Sequence, residues 1–263
     1  MEKIRWGLMG AGKIVSRWIN GARQLEDMEI VAVASRSMET AKAAAERYSI
    51  PDATTYDGLA ERDDIDIVYV PVPHTAHKEL AIKAMEHGKS VLVEKPIAVS
   101  AADACEMIEC AKANGVFMME AVWTRFFPMM EKVYSLFGNG GIGEVRAVTS
   151  AFSSRVPSSM ASGRLLNPEL AGGGLLDVGV YPLHFSDMIY GKAPVAITGY
   201  AAINSDEHKF GVDEQEMIIA QYDRGELASM MSGVRTAMPS VAQIFGTKGR
   251  IELPVFWKPT VMR

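Results

Sequence analysis

A chain of 263 residues exceeds the size at which one hydrophobic core usually stops growing, so two domains are expected. Its 48% hydrophobic and 22% charged residues are ordinary for a globular protein and argue against disorder. The formal net charge of -5 speaks against nucleic acid as a partner, because binding a phosphate-rich polymer needs a clustered basic face.

No apolar run approaches the roughly 20 residues needed to cross a bilayer, so no membrane association is expected. The first residues, through Met9-Gly10, read as a strand entering a glycine turn rather than as a signal peptide, and the expected location is the cytoplasm. Residues 1–122 then alternate short β-branched runs with amphipathic stretches, the pattern of βαβ units around a parallel sheet. Strands are expected over residues 4–9, 30–34, 65–70, 90–93 and 116–119, with a weaker one near 53–55. A helix over 76–87 should stop at Gly88, a residue suited to a helix C-terminus. Cys105 and Cys110 fall in one expected helix, where five residues of rise hold their Cα atoms roughly 7 to 8 Å apart, so they should not bridge.

The βα rhythm ends near residues 121–128, which divides the chain into a first domain over 1–122 and a second over 123–263. A helix around 131–137 leads through a glycine turn into a strand over 145–152. A polar Ser/Pro loop and Gly172-Gly173-Gly174 follow, then another helical stretch. Alternating segments over 217–222 and 226–231, separated by Asp223-Arg224-Gly225, carry an antiparallel signature. The fold class is therefore α/β: an N-terminal Rossmann parallel sheet, then a C-terminal α+β domain with a mostly antiparallel open sheet.

After the first strand, Gly10-Ala11-Gly12 opens a helix at about Lys13, and these residues with Lys13 and Ile14 are candidates for cofactor contact. Two glycines so spaced let the backbone approach a pyrophosphate, whose charge then sits on the free N–H groups of the helix N-terminus. Val15 holds the third position of that fingerprint. A bare βα turn without a ligand is the alternative reading of these glycines. At the end of the next strand, NAD-specific proteins carry an acidic residue for the ribose 2′-hydroxyl. Here Ser35-Arg36-Ser37 stands in that place. Arg36 offers a planar fork of donors to a 2′-phosphate and the serines offer hydroxyls, which points to NADP over NAD.

Pro71-Val72-Pro73-His74 and His77 leave a buried strand at the carboxyl edge of the sheet, where ligands of open α/β sheets bind, and are further candidates for cofactor contact. His74 and His77 do not read as a metal pair, because zinc needs at least three protein ligands in a catalytic site. The strand over 90–93 is followed by Glu94-Lys95-Pro96 at the same edge, where Lys95 is either a surface charge or a proton-transfer group. In the second half, Asp177, Tyr181 and His184 recur at i, i+4 and i+7, which places them on one face of an α-helix.

With Glu94-Lys95-Pro96 and the segment from Gly172 to Tyr181, the sequence resembles the glucose–fructose oxidoreductase and inositol dehydrogenase (Gfo/Idh/MocA) family along essentially its whole length. Trp123-Thr124-Arg125-Phe126-Phe127-Pro128 and Phe256-Trp257-Lys258-Pro259 are similar to its dimeric dihydrodiol dehydrogenase branch, which places a tyrosine where the inositol enzymes carry a histidine. The resemblance implies a hydride passed between NADP and a carbinol carbon of a sugar, cyclic polyol or trans-dihydrodiol. Lys95 and Tyr181 would handle the hydroxyl proton, with Asp177 in the catalytic set. A phenol titrates near 10, and an adjacent ammonium favours its ionised form. The resemblance adds Glu94, Lys95, Trp123 and Arg125 to the cofactor contacts. Trp123, Phe152, Tyr181, His184 and Trp257 become the substrate residues, and each aromatic among them is otherwise ordinary core.

The resemblance also implies a homodimer or higher oligomer through the second-domain sheet. It further implies that the chain, ending at Arg263, is truncated at its C-terminus relative to the family. Two other classes stay open: a catalytically idle NADP-binding sensor that acts through a protein partner, and an assembly protein that uses the exposed sheet face.

Overall fold

The structure, a computed structural model, describes residues 3–157, 163–203 and 211–263. Part of the polar loop expected before Gly172 lies outside the described residues. The chain separates into two compact units, Met1–Ala121 and Val122–Arg263.

The first unit carries β1 (Ile4–Met9), α1 (Val15–Ala22), β2 (Met28–Ala34), α2 (Met38–Tyr48), β3 (Asp52–Thr54) and α3 (Tyr56–Ala60). After these come β4 (Ile67–Val70), α4 (His77–Glu86), β5 (Ser90–Val93), α5 (Ala101–Asn114) and β6 (Met118–Glu120). All six strands pair in parallel in the order β3-β2-β1-β4-β5-β6. A parallel sheet covered by helices on both faces reads as continuous apolar strands, and the packing shows the two faces apart. Met9, Ala34, Val70 and Val93 join Leu80, Ala84 and Met107 in one core, while Leu8, Val33 and Tyr69 join Val15, Ile19 and Ile50 in another. Gly88, at φ +72°, follows α4 in the left-handed conformation expected of it. Both cysteines lie on α5 and are free.

The second unit contains α6 (Pro128–Gly138), β7 (Val145–Ser153), a π-helical stretch Leu175–Gly179 running into α7 (Val180–Tyr190), and five further strands. These are β8 (Ala196–Ile203), β9 (Asp213–Gln221), β10 (Leu227–Gly233), β11 (Ala242–Gly246) and β12 (Arg250–Leu253), which join β7 in the order β12-β11-β7-β10-β9-β8. Every pairing is antiparallel except β7 with β10. One face is buried, with Val148, Phe152, Ala220, Met230 and Ile244 packed against Met130, Val133, Phe185 and Met188 of α6 and α7. The other face leaves Met217, Ile219, Leu227 and Tyr200 exposed, and Tyr200 pairs directly with Met217 in the β8–β9 register.

Candidate functional site

In the first unit the strand order reverses between β1 and β4, and ligands of open α/β sheets bind beyond the carboxyl ends of the strands at such a point. Gly10 holds φ +139°, which L side chains rarely adopt. A Cβ on it would lie 3.0 Å from both the Pro71 carbonyl oxygen and Val72 Cγ1, and one on Gly12 would lie 3.1 Å from the same oxygen. Packing against the end of β4 therefore requires glycine at position 10 and leaves little room for a side chain at position 12, besides any need for a phosphate to come close. Helix α1 starts at Val15 rather than at Lys13, because Lys13 and Ile14 form the turn before it. Val15 is wholly buried, so the third fingerprint position is a core residue here.

Beyond β2, Ser35 is half-buried and Arg36 is exposed. A residue with no motif to mark it, Tyr56 at the start of α3, meets them there: its phenol hydrogen-bonds Ser35 and feels the charge of Arg36. Burial pushes that phenol above its usual value, and Arg36 and Ser35 oppose the shift. Ser37 departs from the expectation that both serines offer free hydroxyls. Its oxygen accepts the Thr40 N–H at 3.2 Å and donates to Thr40 Oγ1 at 2.9 Å, so it caps α2. Ser35, Arg36 and Tyr56 thus come together beside the N-terminus of α2.

At the end of β5, the Tyr69 hydroxyl donates to Glu94 Oε1 at 2.5 Å and the Lys95 N–H donates to Oε2 at 3.3 Å. Burial raises the Glu94 carboxyl above the usual carboxylate range, against the Tyr69 hydrogen bond and the Lys95 charge. Lys95 is half-buried, its peptide bond to Pro96 is cis, and the Ile97 N–H donates to Glu120 Oε1 at 2.8 Å on the far side of the turn. Pro71, Val72 and Pro73 line the neighbouring turn after β4, and His74, 4% exposed, follows them.

His77 needs correction as a direct cofactor contact. It has no exposed surface, and its two ring nitrogens lie 2.8 and 2.9 Å from the backbone oxygens of Pro96 and Val72. A ring so enclosed has no polar atom to offer a ligand. Among the described residues, no group of three or more His, Cys, Asp or Glu side chains could hold a metal ion.

In the second unit, the expectation of one α-helical face for Asp177, Tyr181 and His184 is corrected. Asp177 lies in the π-helical stretch, whose wider turn breaks the 3.6-residue phase before α7 begins at Val180. The glycines explain the local form. A Cβ on Gly172 would lie 2.6 Å from the Arg164 carbonyl oxygen, and one on Gly174 would lie 2.6 Å from Glu216 Oε2. Asp213 Oδ2 accepts the Leu175 N–H at 2.5 Å, placing a carboxylate at the start of the helix. Asp177 is buried and accepts from Arg164 Nη2 at 2.8 Å. Neither Arg164 nor Asp213 stands in a pattern that marks it in the sequence.

Tyr181 is 7% exposed and meets Phe152 edge-on at 5.3 Å and Trp257 at 5.9 Å between ring centroids. Trp257 stacks on Phe152 at 5.1 Å and touches Trp123 at 5.7 Å. The Thr124 hydroxyl ties the turn at Trp123–Phe126 to the Trp257 carbonyl oxygen at 2.8 Å. Four expected substrate residues thus form one aromatic cluster. His184 is half-buried further along α7, and Arg125 is exposed, 3.6 Å from Asp187.

A glycine turn at the switch point of a parallel sheet in this strand order defines a dinucleotide-binding α/β protein. Residues 4–122 match the family described as an oxidoreductase family with an NAD-binding Rossmann fold, and residues 130–252 match the GFO/IDH/MocA C-terminal domain. The chain is 36% identical to the trans-1,2-dihydrobenzene-1,2-diol dehydrogenase of Xenopus tropicalis, over 97% of this chain and 77% of that protein. It is 35% identical to the enzyme of the same name from Mus musculus, over 98% and 76%. Among solved structures, an aldose–aldose oxidoreductase from Caulobacter crescentus complexed with glycerol is 27% identical, with a TM-score of 0.90 over 99% of this chain and 79% of that one. A 3-ketoreductase from Actinomadura kijaniata, in complex with NADP and TDP-benzene, is also 27% identical, with a TM-score of 0.88 over 98% and 78%. The chain belongs to the Gfo/Idh/MocA oxidoreductase family.

Proposed function

We propose that this protein is an NADP-dependent oxidoreductase acting on the CH–OH group of a trans-dihydrodiol, cyclic polyol or sugar. The observation that carries the reading is Tyr181, a buried phenol walled by Phe152 and Trp257, in a chain that also holds Lys95 at the carboxyl edge of its dinucleotide sheet. The relatives support the substrate class: their names give a dihydrodiol, an aldose and a keto group as what they act on. Arg36, where an NAD-specific protein carries an acid, supports NADP, with Tyr56 beside it.

The nicotinamide, when bound, supplies the acceptor for the hydride. The protein supplies the rest. Gly10, Ala11 and Gly12 present backbone to the pyrophosphate, Arg36, Ser35 and Tyr56 hold the 2′-phosphate, and Glu94 orients the turn that carries Lys95. The Tyr181 oxygen, as phenolate, takes the hydroxyl proton of the alcohol, and Lys95 is the second proton-handling group of the reaction. Phe152, Trp123 and Trp257 exclude water from the reacting alcohol. The exposed apolar face around Tyr200 and Met217 pairs with a second copy of the chain. The test is a panel of dihydrodiols, inositols and aldoses followed by nicotinamide absorbance, with NADH as control. Turnover with NADP and any of these alcohols supports the reading, and none across the panel refutes it.

A further inference from the structure

Fully buried at the first position of α4, His77 faces two backbone acceptors at once, the Pro96 carbonyl 2.8 Å from Nδ1 and the Val72 carbonyl 2.9 Å from Nε2. These carbonyls belong to two different turns. Val72 follows β4 and, with Pro71, forms the surface on which Gly10 and Gly12 rest. Pro96 directly follows Lys95. A carbonyl oxygen can only accept, and a neutral imidazole has one N–H and one lone pair. Either neutral tautomer would set lone pair against lone pair at one of the two contacts, and a buried carbonyl left in that state loses its hydrogen bond. Both are satisfied only when both ring nitrogens donate. The titratable groups facing it are His74, whose ring centroid lies 5.7 Å from that of His77, and Glu94 and Lys95 on the bridged turns, with Glu120 of β6 reaching the same turn through the Ile97 N–H.

We propose that His77 is a positioning residue, donating from both ring nitrogens so as to fasten the Lys95–Pro96 turn to the turn that backs the glycine loop. Removing the bridge loosens the Lys95–Pro96 turn, which keeps its ties to Glu94 and Glu120, while leaving the glycine loop its own contacts with Pro71. The consequence for turnover rests on the function proposed above, whereas the bridge itself does not.

The experiment therefore has two arms. The full chain, labelled with nitrogen-15 in its 5 histidines, is read by long-range proton–nitrogen correlation at neutral pH, with His77 assigned by substituting the other four in turn. Protons on both His77 nitrogens are expected, and a neutral single-tautomer pattern overturns the bridge. In the second arm, His77→Phe lowers kcat at least ~10-fold while the substrate KM changes less than about threefold, and His77→Gln, which keeps one donor pair, lies between it and the parent. A kcat in His77→Phe equal to that of the parent, or equal losses in kcat and KM that His77→Gln does not relieve, overturns the positioning role. A parent protein without turnover refutes the proposed function instead, and the nitrogen spectrum then decides the bridge alone.

Discussion

The Arg164 guanidinium donates to Oδ1 of Asp177 at 2.8 Å, so a half-buried cation from the 3-10 helical turn Arg164–Leu166 holds the buried carboxylate one turn ahead of Tyr181. Removing one partner of such a pair costs more than the pair contributes, because the other charge stays buried without its donor. Arg164→Met should therefore lower folding stability by about 1–3 kcal/mol in urea denaturation. The double variant with Asp177→Leu should recover part of that loss.

Cofactor choice is tested at the end of β2. Arg36→Ala removes the charge beside Tyr56 and should weaken NADPH binding roughly 10- to 100-fold, about 1.4–2.8 kcal/mol, with NADH affinity unchanged. Tyr56→Phe should act in the same direction and more weakly. Fluorescence titration of both cofactors checks this.

The aromatic cluster makes a kinetic prediction. Trp257→Ala opens the stack on Phe152 and the contact with Tyr181, and should raise the substrate KM about tenfold with NADPH affinity unaltered. Initial-rate kinetics at saturating cofactor distinguish this from a general loss of fold.

Glu216 gives a pH dependence. It lies under Gly174 and accepts from the Ser232 hydroxyl, and burial pushes its carboxyl up to about 7, with nearby Asp213 adding to the shift. An unfolded glutamate titrates near 4.3, so the folded state binds the proton more tightly than the unfolded state. Its contribution to stability is complete below about pH 4.3 and is lost as the pH rises through about 7. Glu216→Gln should flatten the fall in urea midpoint across that window, gaining on the parent protein as the pH rises.

The outer face of the second sheet is the test of assembly. Tyr200, 90% exposed, and Met217, 59% exposed, stand opposite each other on β8 and β9. The pair Tyr200→Asp and Met217→Lys should shift the protein to a monomer in sedimentation equilibrium, with far-ultraviolet circular dichroism unchanged.

Much of the fold was legible because its signals are local. The strands of the first sheet are buried on both faces, so Ile4–Met9 and Ser90–Val93 stand out as apolar runs bounded by turn residues. The glycines were legible too, although the sequence supplied only half their reason: the pressure of Pro71 and Val72 on Gly10 is a contact between chain segments about sixty residues apart. Asp177 was misread because an α-helical period was carried through a π-helical stretch that no local signal announces. His77 was misread because a histidine at a ligand-binding edge looks the same in sequence whether its nitrogens face solvent or two backbone oxygens. Tyr56 and Arg164 went unseen, each set beside its partner by tertiary packing alone.

The central claim is that Lys95 and Tyr181 carry the proton chemistry of an NADP-linked alcohol oxidation. Single-turnover measurement of nicotinamide absorbance, for the parent protein, Lys95→Met and Tyr181→Phe, tests it most directly. Hydride transfer is expected in the parent, with losses of at least ~100-fold in each variant and NADPH affinities within about threefold of one another. Full-rate transfer in either variant would contradict it.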